Sequence, residues 1–291
     1  MVLVSPDSAA PPALWSLRPL RIGVINIMPH AEAYEPHIVR PLDRATLPVE
    51  LVWIRLRSHV YTSSDPLRID RYVPYDRVGA ERPLDGVILT GAPIEELPFE
   101  SVRYWPEVSE ILADCRARGP NVLGLCWGGL ALARLLGIEK HVLPKKLFGV
   151  FDETVLDPAH PIVGGSDDVF RCTQSRHAGI RSVHLEEARD DGVLRLLSHG
   201  VDTGYTVFES ADRRFLMHLG HPEYEVARLA TEWARDSALG RTDVDPPKNF
   251  DLRRPMNVWR SHCNDFFARW LFDAAKARAA PPRWERSAFA P

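Results

Sequence analysis

Short apolar runs alternate with longer amphipathic stretches along most of the chain. Several of the short runs are apolar at successive positions, which is typical of strands covered on both faces in a parallel sheet. These runs predict strands at residues 21–27, 50–56, 84–89, 121–125 and 215–219.

The longer stretches predict helices, because apolar residues recur there every three or four positions. The predicted helices are residues 105–118, 128–136, 225–239 and 259–277. Strands that alternate with helices indicate an α/β fold with a doubly wound, mostly parallel sheet and right-handed crossovers.

Residues 141–208 depart from this alternation. Extended segments there are interrupted by Asp-Pro, His-Pro and Gly-Gly pairs, which predicts a β-rich excursion. The proline-rich opening, residues 1–20, predicts an extended arm, and residues 278–291 predict a loose tail. We therefore expect one domain, residues 21–277, between the two ends.

Composition narrows the class of protein. The 291 residues carry 36 Lys and Arg against 39 Asp and Glu, a formal net charge of −3. A nearly neutral chain lacks the strongly basic surface that binds nucleic acid or an anionic membrane. No run of about 18 apolar residues occurs, and the opening lacks the basic start and apolar stretch of a signal peptide. We expect a cytoplasmic protein with no nucleic-acid or membrane partner.

Cys126 stands out among the four cysteines, whose spacing predicts neither a disulfide framework nor a metal site. It follows an apolar strand in Gly124-Leu-Cys126-Trp127-Gly128 and precedes a helix, the nucleophile-elbow arrangement with cysteine in place of serine. A helix N-terminus favours the thiolate, and the Trp127 backbone N–H can point at a developing oxyanion. The competing interpretation is a buried structural cysteine, which we favour for Cys115, Cys172 and Cys263.

A cysteine nucleophile needs a base, and the base needs a group that orients it. His221 is the best placed histidine, because it lies just beyond the last predicted strand and before a helix, where ligands bind in parallel α/β sheets. Pro222 fixes the chain so that the Glu223 carboxylate can reach back to the imidazole. The other candidates are His218 and His262, and a metal site at His218 and His221 lacks companion ligands at the usual spacing.

Several short motifs together resemble one family. They are Ile25-Asn-Ile-Met-Pro29, Thr90-Gly-Ala-Pro93, Lys146-Leu-Phe-Gly-Val150, Gly220-His-Pro-Glu-Tyr224 and Trp259-Arg-Ser-His262. From residue 21 to 273 the chain resembles the homoserine O-succinyltransferase/O-acetyltransferase family, which acylates homoserine on the way to methionine. The resemblance implies the class I glutamine amidotransferase-like fold.

The resemblance also implies a ping-pong acyl transfer. Cys126 would attack the thioester of an acyl-CoA, and His221 would protonate the departing sulfur and then deprotonate the acceptor hydroxyl while Glu223 orients the imidazole. Proton transfers of this type contribute roughly 10²–10⁴-fold each. We expect acetyl-CoA as co-substrate, no bound cofactor and a homodimer.

Four further positions match substrate-contacting positions of the family. Arg235 is expected to grip the substrate carboxylate, and Lys146 and Ser175 are expected to contact substrate. Glu95 matches the position at which glycine goes with succinyl-CoA and glutamate with acetyl-CoA. A carboxylate there repels the distal carboxylate of a succinyl group, which favours acetyl-CoA.

One departure from the family pattern concerns the oxyanion hole. The family has a lysine two positions after the Met-Pro pair, and this chain has Ala31, preceded by His30. Three explanations are open: backbone N–H groups near Cys126 suffice, His30 substitutes, or the acceptor and mechanism differ and the acceptor is serine or another hydroxy amino acid. A lost oxyanion donor costs about 3–4 kcal/mol.

Two other classes of protein compete with the acyltransferase. A glutamine amidotransferase uses the same Cys-His-Glu geometry, but its elbow typically has glutamine at the position of Leu130. A non-catalytic binding module on this fold would not need Cys126, His221 and Glu223 together.

Overall fold

The computed structural model describes residues 18–78, 82–165 and 167–279. Within these ranges the chain forms one ten-stranded sheet in the order β3-β2-β1-β4-β5-β10-β9-β8-β6-β7. The strands are β1 Leu20–Ile25, β2 Val49–Arg55, β3 Val73–Pro74, β4 Gly86–Leu89, β5 Asn121–Leu125, β6 His141–Val155, β7 Val169–Gly179, β8 Leu194–Gly200, β9 Gly204–Ser210 and β10 Phe215–His218.

Eight α-helices accompany the sheet in the described part of the chain. They are α1 Ala31–Asp43, α2 Pro66–Ile69, α3 Tyr75–Val78, α4 Trp105–Arg118, α5 Trp127–Leu135, α6 Ser182–Asp190, α7 Val226–Ala238 and α8 Arg260–Ala279. All five predicted strands and all four predicted helices are present, with bounds shifted by two residues at most.

In the sheet, the six neighbouring strands β3-β2-β1-β4-β5-β10 pair in parallel, and this part of the sheet is covered on both faces. Alternate residues of a strand therefore enter different apolar layers: Ile22 and Val24 pack with α1 and α8, whereas Ile25 packs with α4 and α5. Burial on both faces explains why these strands are apolar at successive positions. The predicted mostly parallel α/β class is confirmed.

The β-rich excursion is confirmed as an antiparallel extension of the same sheet. The long strands β6 and β7 pair with each other, and β8 and β9 connect them to β10. Helix α6, which the pattern did not predict, lies within this region. The predicted arm and tail lie mostly outside the described residues, apart from residues 18–20 and 278–279.

Helix α1 was also not predicted, because it contains Pro36 and Pro41, and proline in a helix interior usually breaks it. Its side chains Tyr34, Ile38 and Leu42, each four residues apart, are buried in the layer that also contains α8. In the described part of the chain, no helix is both long and apolar enough to cross a membrane.

Candidate active site

The predicted elbow is present between β5 and α5. Cys126 has φ 50° and ψ −112°, a backbone conformation that non-glycine residues rarely adopt. A Cβ atom at Gly124 would lie 2.5 Å from the Gly128 carbonyl carbon, and one at Gly128 would lie 2.4 Å from the Leu89 carbonyl oxygen. Both positions therefore require glycine. The Cys126 N–H donates to the His218 carbonyl at 2.8 Å and ties the elbow to β10.

His221 and Glu223 meet Cys126 from the end of β10. The Cys126 side chain hydrogen-bonds the imidazole of His221. The other ring nitrogen, Nδ1, lies 2.7 Å from Glu223 Oε1, and the Tyr34 hydroxyl donates to the same oxygen at 2.6 Å. The ring of Tyr224 stacks on His221 with centroids 4.0 Å apart. The three residues that the sequence predicts as a catalytic triad are thus brought into contact.

The electrostatics of the pair favour a charged imidazole. Burial opposes protonation of His221, but the negative charges of Cys126 and Glu223 outweigh it and raise the pKa of His221 above its usual value. Burial also acts against the Glu223 carboxylate, yet His221 and the Tyr34 hydroxyl hold the pKa of Glu223 below its usual value. A protonated His221 oriented by an ionised Glu223 carboxylate is the state that this geometry stabilises.

Gly91 lies directly against the side chains of Cys126 and His221. A Cβ atom there would lie 3.3 Å from His221 Cε1 and 3.4 Å from Cys126 Cβ. Gly91 follows β4, and its missing side chain leaves room beside the thiol. Trp127, the predicted backbone donor, is the first residue of α5, whose first N–H groups have no partner within the helix.

The two alternative histidines lie in the core. His218 is fully buried on β10, where its Nδ1 accepts from the Gly220 N–H at 3.1 Å and Cys172 Sγ lies 3.9 Å from Nε2. His262 on α8 stacks on Phe170 with centroids 3.7 Å apart. Burial lowers the pKa of both histidines, which disfavours either as a proton acceptor for the thiol.

The predicted substrate residues meet around two buried carboxylates of α7. Lys146 Nζ lies 2.9 Å from Asp236 Oδ2 and 3.2 Å from Glu232 Oε2. The Ser175 hydroxyl donates to the same Glu232 oxygen, and the Ser175 carbonyl oxygen lies 4.0 Å from Cys126 Sγ. Lys146, Arg228 and Ser175 overcome the effect of burial on Glu232 and lower the pKa of this carboxyl to about 2.

Arg235 pairs with the neighbouring carboxylate of Asp236. Its guanidinium binds Asp236 Oδ1 at 2.7 Å, and 49% of the side chain is exposed. Among the described residues, Arg235 is linked to Ser175 through Asp236, Lys146 and Glu232 in turn.

Glu95 lies in the loop that begins at Gly91 and is almost fully buried. Its Oε1 accepts from the His177 backbone N–H at 3.1 Å, and its carbonyl oxygen accepts from Lys140 Nζ at 2.6 Å. These bonds fix the carboxylate in a loop that contacts Cys126 through Gly91. At the position of the family lysine, Ala31 is buried and packs with Ile69 and Tyr72, whereas His30 is exposed.

One group of possible metal ligands lies at the rim beside Glu95. Ligand atoms of Glu96, His177 and Asp243 lie within 4.8 Å of one another. Arg241 binds both carboxylates, at 3.4 Å from Glu96 and 2.5 Å from Asp243. The Arg241 ion pairs account for this arrangement of carboxylates.

Sequence analysis did not predict four residues that the structure places beside the triad or around Ser175: Tyr34, Gly91, Arg228 and Glu232. Tyr34 is 189 positions from Glu223, so no local pattern connects them. Glu232 and Asp236 are spaced by one helical turn on α7, a signal that could have indicated a polar helix face.

Solved structures with this architecture were found by comparison. A glutamine amidotransferase from Methylobacillus flagellatus superimposes with a TM-score of 0.58 at 17% identity, covering 88% of this chain and 95% of that one. One from Thermotoga maritima gives 0.59 at 14% identity, covering 89% and 100%. Fold and site together define the class: a glutamine amidotransferase-like α/β fold with a Cys-His-Glu triad.

The chain belongs to the homoserine O-succinyltransferase family, whose sequence profile matches residues 6–278. A homoserine O-acetyltransferase of Geobacillus kaustophilus is 35% identical over 274 residues, covering 92% of this chain and 89% of the relative. One of Bacteroides fragilis is 36% identical over 274 residues, covering 88% and 84%. The family is one of acyltransferases, which confirms the predicted class of enzyme.

Proposed function

We propose that this enzyme transfers an acetyl group from acetyl-CoA to the hydroxyl of homoserine through an acyl-cysteine intermediate. The observation that carries the proposal is the contact chain Cys126–His221–Glu223 at a glycine-flanked elbow. Relatives named homoserine O-acetyltransferase support the substrates. Such an acetylated homoserine belongs to methionine biosynthesis, and the reaction needs no bound cofactor.

In the first half-reaction, the Cys126 thiolate attacks the thioester carbonyl and the bond to the CoA sulfur breaks. The His221 imidazolium gives its proton to the departing sulfur, so the imidazole becomes neutral. The backbone N–H groups of Trp127 and Gly91 are the proposed donors to the oxyanion, since they flank the thiol. The family has an oxyanion-hole lysine at the position of Ala31. These two N–H groups support the explanation in which backbone donors near Cys126 replace that lysine.

In the second half-reaction, His221 takes the proton of the acceptor hydroxyl while its oxygen attacks the acyl carbon. The thiolate then leaves as the ester forms, which regenerates the starting pair. Glu223 holds the tautomer and stabilises the imidazolium, and Tyr34 fixes Glu223 through the same oxygen. Lys146, Ser175 and Arg235 are proposed to contact the acceptor, and Glu95 to exclude a succinyl group.

Intact-mass measurement after incubation with acetyl-CoA tests the proposal. We expect one added acetyl group on the wild type and none on Cys126→Ala. Cys115→Ala is the matched control, because Cys115 is buried on α4, beside Tyr75, and should leave acetylation unchanged. Acetylation of Cys126→Ala, or glutamine hydrolysis by a wild type that is not acetylated, would overturn the proposal.

A further inference from the structure

Two side chains hold the carboxylate of Glu223, and both bind the same oxygen. His221 Nδ1 lies 2.7 Å from Glu223 Oε1, and the Tyr34 hydroxyl donates to that oxygen at 2.6 Å. The other oxygen, Oε2, is buried and has no hydrogen-bond partner among the described residues. Apart from its own backbone N–H, the carboxylate is therefore held by His221 and Tyr34.

Tyr34 is a permanent donor to this oxygen. Its side chain is buried, and burial and the charge of Glu223 raise the pKa of the Tyr34 hydroxyl well above its usual value. The hydroxyl therefore keeps its proton throughout the neutral pH range. The ring packs in the apolar layer that also contains α8, so its position does not depend on the hydrogen bond that the hydroxyl makes.

The charge of His221 changes during the proposed reaction, whereas Tyr34 stays the same. The proton given to the CoA sulfur leaves His221 neutral in the acyl-enzyme, and the acylated sulfur of Cys126 carries no charge. Glu223 then remains as a buried carboxylate beside a neutral imidazole. A buried carboxylate is costly unless donors bind it, and otherwise it takes up a proton. The acyl-enzyme is therefore the state in which the second donor matters most.

A proton bound by the His221–Glu223 pair in the acyl-enzyme blocks the second half-reaction. In that step the acceptor hydroxyl gives its proton to His221 as its oxygen bonds to the acyl carbon and the carbon–sulfur bond breaks. A His221 that is already protonated cannot accept this proton. The Tyr34 hydroxyl stabilises the pair with a net negative charge more than the neutral pair, because a hydrogen bond to an unbalanced charge is stronger. It therefore keeps His221 able to act as a base at lower pH.

The other titratable and charged groups around Glu223 and His221 are the same with and without the Tyr34 hydroxyl. Within the described ranges none of them donates a hydrogen bond to the Glu223 carboxylate. They are His37, Arg40 and Arg44 on α1 and its end, Cys126 at the elbow, Cys172 on β7, His218 on β10, Tyr224 and Glu225 in the following turn, Arg228 and Glu232 on α7, and Arg260 and Cys263 on α8. Removal of the Tyr34 hydroxyl thus isolates its hydrogen bond to Glu223.

We propose that Tyr34 is a positioning residue that holds Glu223 ionised in the acyl-enzyme and thereby sets the lowest pH at which the acceptor is acylated. The inference rests on the proposed acyl transfer and concerns its second half-reaction. In the first half-reaction His221 must carry the proton, and loss of the Tyr34 hydroxyl does not remove it.

The test measures the two half-reactions of Tyr34→Phe separately, from about pH 5.5 to about pH 9.5, where a histidine beside a carboxylate titrates. Enzyme acetylated by acetyl-CoA is freed of the donor by gel filtration and mixed with homoserine, and intact mass follows the loss of the acetyl group. The acid limb of this rate should move up by about one pH unit, so that the rate below the limb falls about 10-fold, and the rates should converge at high pH. Acetylation by acetyl-CoA should change by about twofold or less, because it starts from the protonated His221.

Two further substitutions control for structural effects. Tyr75→Phe is the matched control, because the Tyr75 hydroxyl also donates to a carboxylate, at 2.8 Å from Asp114 Oδ2, outside the site. It should leave both half-reactions unchanged. Replacement of Tyr34 by 3-fluorotyrosine keeps the ring and makes the phenol a stronger donor, so the acid limb should move to lower pH. This replacement tests the inference even where the melting temperature shows that Tyr34→Phe is poorly folded.

Glu223→Gln tests whether Tyr34 acts through Glu223. An amide in place of the carboxylate leaves no charge for the hydroxyl to stabilise. Tyr34→Phe added to Glu223→Gln should therefore leave the pH profile of the remaining deacetylation where it is. A further upward shift of the acid limb would show that the hydroxyl acts by another route and would overturn the inference.

Each remaining outcome counts against the inference. An equal fall of both half-reactions at every pH in Tyr34→Phe would make Tyr34 only a structural residue of α1. The same shift of the acid limb in Tyr75→Phe would show that the effect does not come from Glu223. A wild type that forms no acetyl-enzyme would overturn the acyl transfer itself, whereas an acetyl-enzyme whose pH profile is the same in wild type and Tyr34→Phe would overturn the role of Tyr34 alone.

Discussion

Cys126 stores backbone strain where the chemistry is proposed. A non-glycine residue at φ 50° and ψ −112° costs about 1–3 kcal/mol, and such residues persist only where the surroundings fix them. Here Gly124 and Gly128 let backbone segments approach to contact distance, and the Cys126 N–H is held by β10. This backbone conformation places the thiol beside His221, and the contacts around the elbow maintain the strained conformation.

Glu95→Gly tests the donor site. The substitution removes a buried carboxylate that accepts from the His177 N–H, and so removes both bulk and negative charge from the loop beside Cys126. We expect the ratio of kcat/KM for succinyl-CoA over acetyl-CoA to rise on the order of 10- to 100-fold, since like charges no longer oppose each other. Steady-state kinetics with both donors measure it.

The control for this change is Glu96→Gly, because Glu96 is the exposed neighbour and pairs with Arg241. It should leave the donor ratio unchanged. A donor ratio in Glu95→Gly equal to that of the wild type would show that another group selects the acyl chain.

At this scale, the sequence predicted the residues that share a short motif. Cys126 lies between Gly124 and Gly128, and His221 and Glu223 are two positions apart. Each motif is therefore a short stretch of sequence that can be recognised without the fold. Tyr34 could not be predicted, because its contact with Glu223 depends on how α1 packs against the end of the sheet. Arg228 and Glu232 are four positions apart on α7, so their ion pair is a local signal that the sequence analysis did not use.

Among the elements, the central strands and helices followed from periodicity because each is long or apolar enough to be recognised alone. Helix α1 did not, since Pro36 and Pro41 predict a break. The burial of Tyr34, Ile38 and Leu42, four residues apart on one face, outweighs the missing hydrogen bonds. Helix α6 has nine residues within a β-rich region, too few for a clear period.

Helix α8 offers a matched pair of substitutions. Trp270 is buried against β4, where a Cβ at Gly86 would lie 3.0 Å from its indole ring, whereas Phe272 is 45% exposed. Trp270→Ala should lower the free energy of unfolding by about 3–5 kcal/mol because it leaves a cavity. Phe272→Ala should change it by about 0.5 kcal/mol or less. Guanidinium denaturation measures both, and equal losses would contradict this packing.

In the whole molecule, the site lies where the sheet changes from parallel to antiparallel pairing. Strands β5 and β10 run in parallel and present Cys126 and His221 at neighbouring carboxyl ends. The antiparallel part, through β7, contributes Ser175. The alternation of strands and helices predicted the parallel part, but the order in which β6 to β9 join it could not be predicted, since periodicity does not encode strand pairing.

Two buried groups, His262 and Glu153, make the stability of the folded protein depend on pH in opposite directions. Burial lowers the pKa of His262 to about 3, and among the described residues its ring nitrogens have no hydrogen-bond partner. In the unfolded chain His262 binds a proton near pH 6.5, whereas in the folded chain it stays neutral at that pH. The contribution of His262 to stability is therefore lost as pH falls below about 6.5. Burial raises the pKa of Glu153 to about 7, so its contribution is lost as pH rises through that value.

Urea denaturation of His262→Phe and Glu153→Gln at about pH 5 and about pH 7.5 separates the two. His262→Phe keeps an aromatic ring on Phe170 and cannot take up a proton. We compare the free energy of unfolding of this variant with that of the wild type. The difference should favour the variant by about 2 kcal/mol more at the lower pH than at the higher one. For Glu153→Gln, the free energy of unfolding relative to the wild type should favour the variant by about 2–3 kcal/mol more at the higher pH than at the lower one. The reason is that the wild type must bury an ionised carboxylate at the higher pH. If the pH dependence of either variant parallels that of the wild type, the group concerned exchanges protons with solvent in the folded state, and its burial does not control stability.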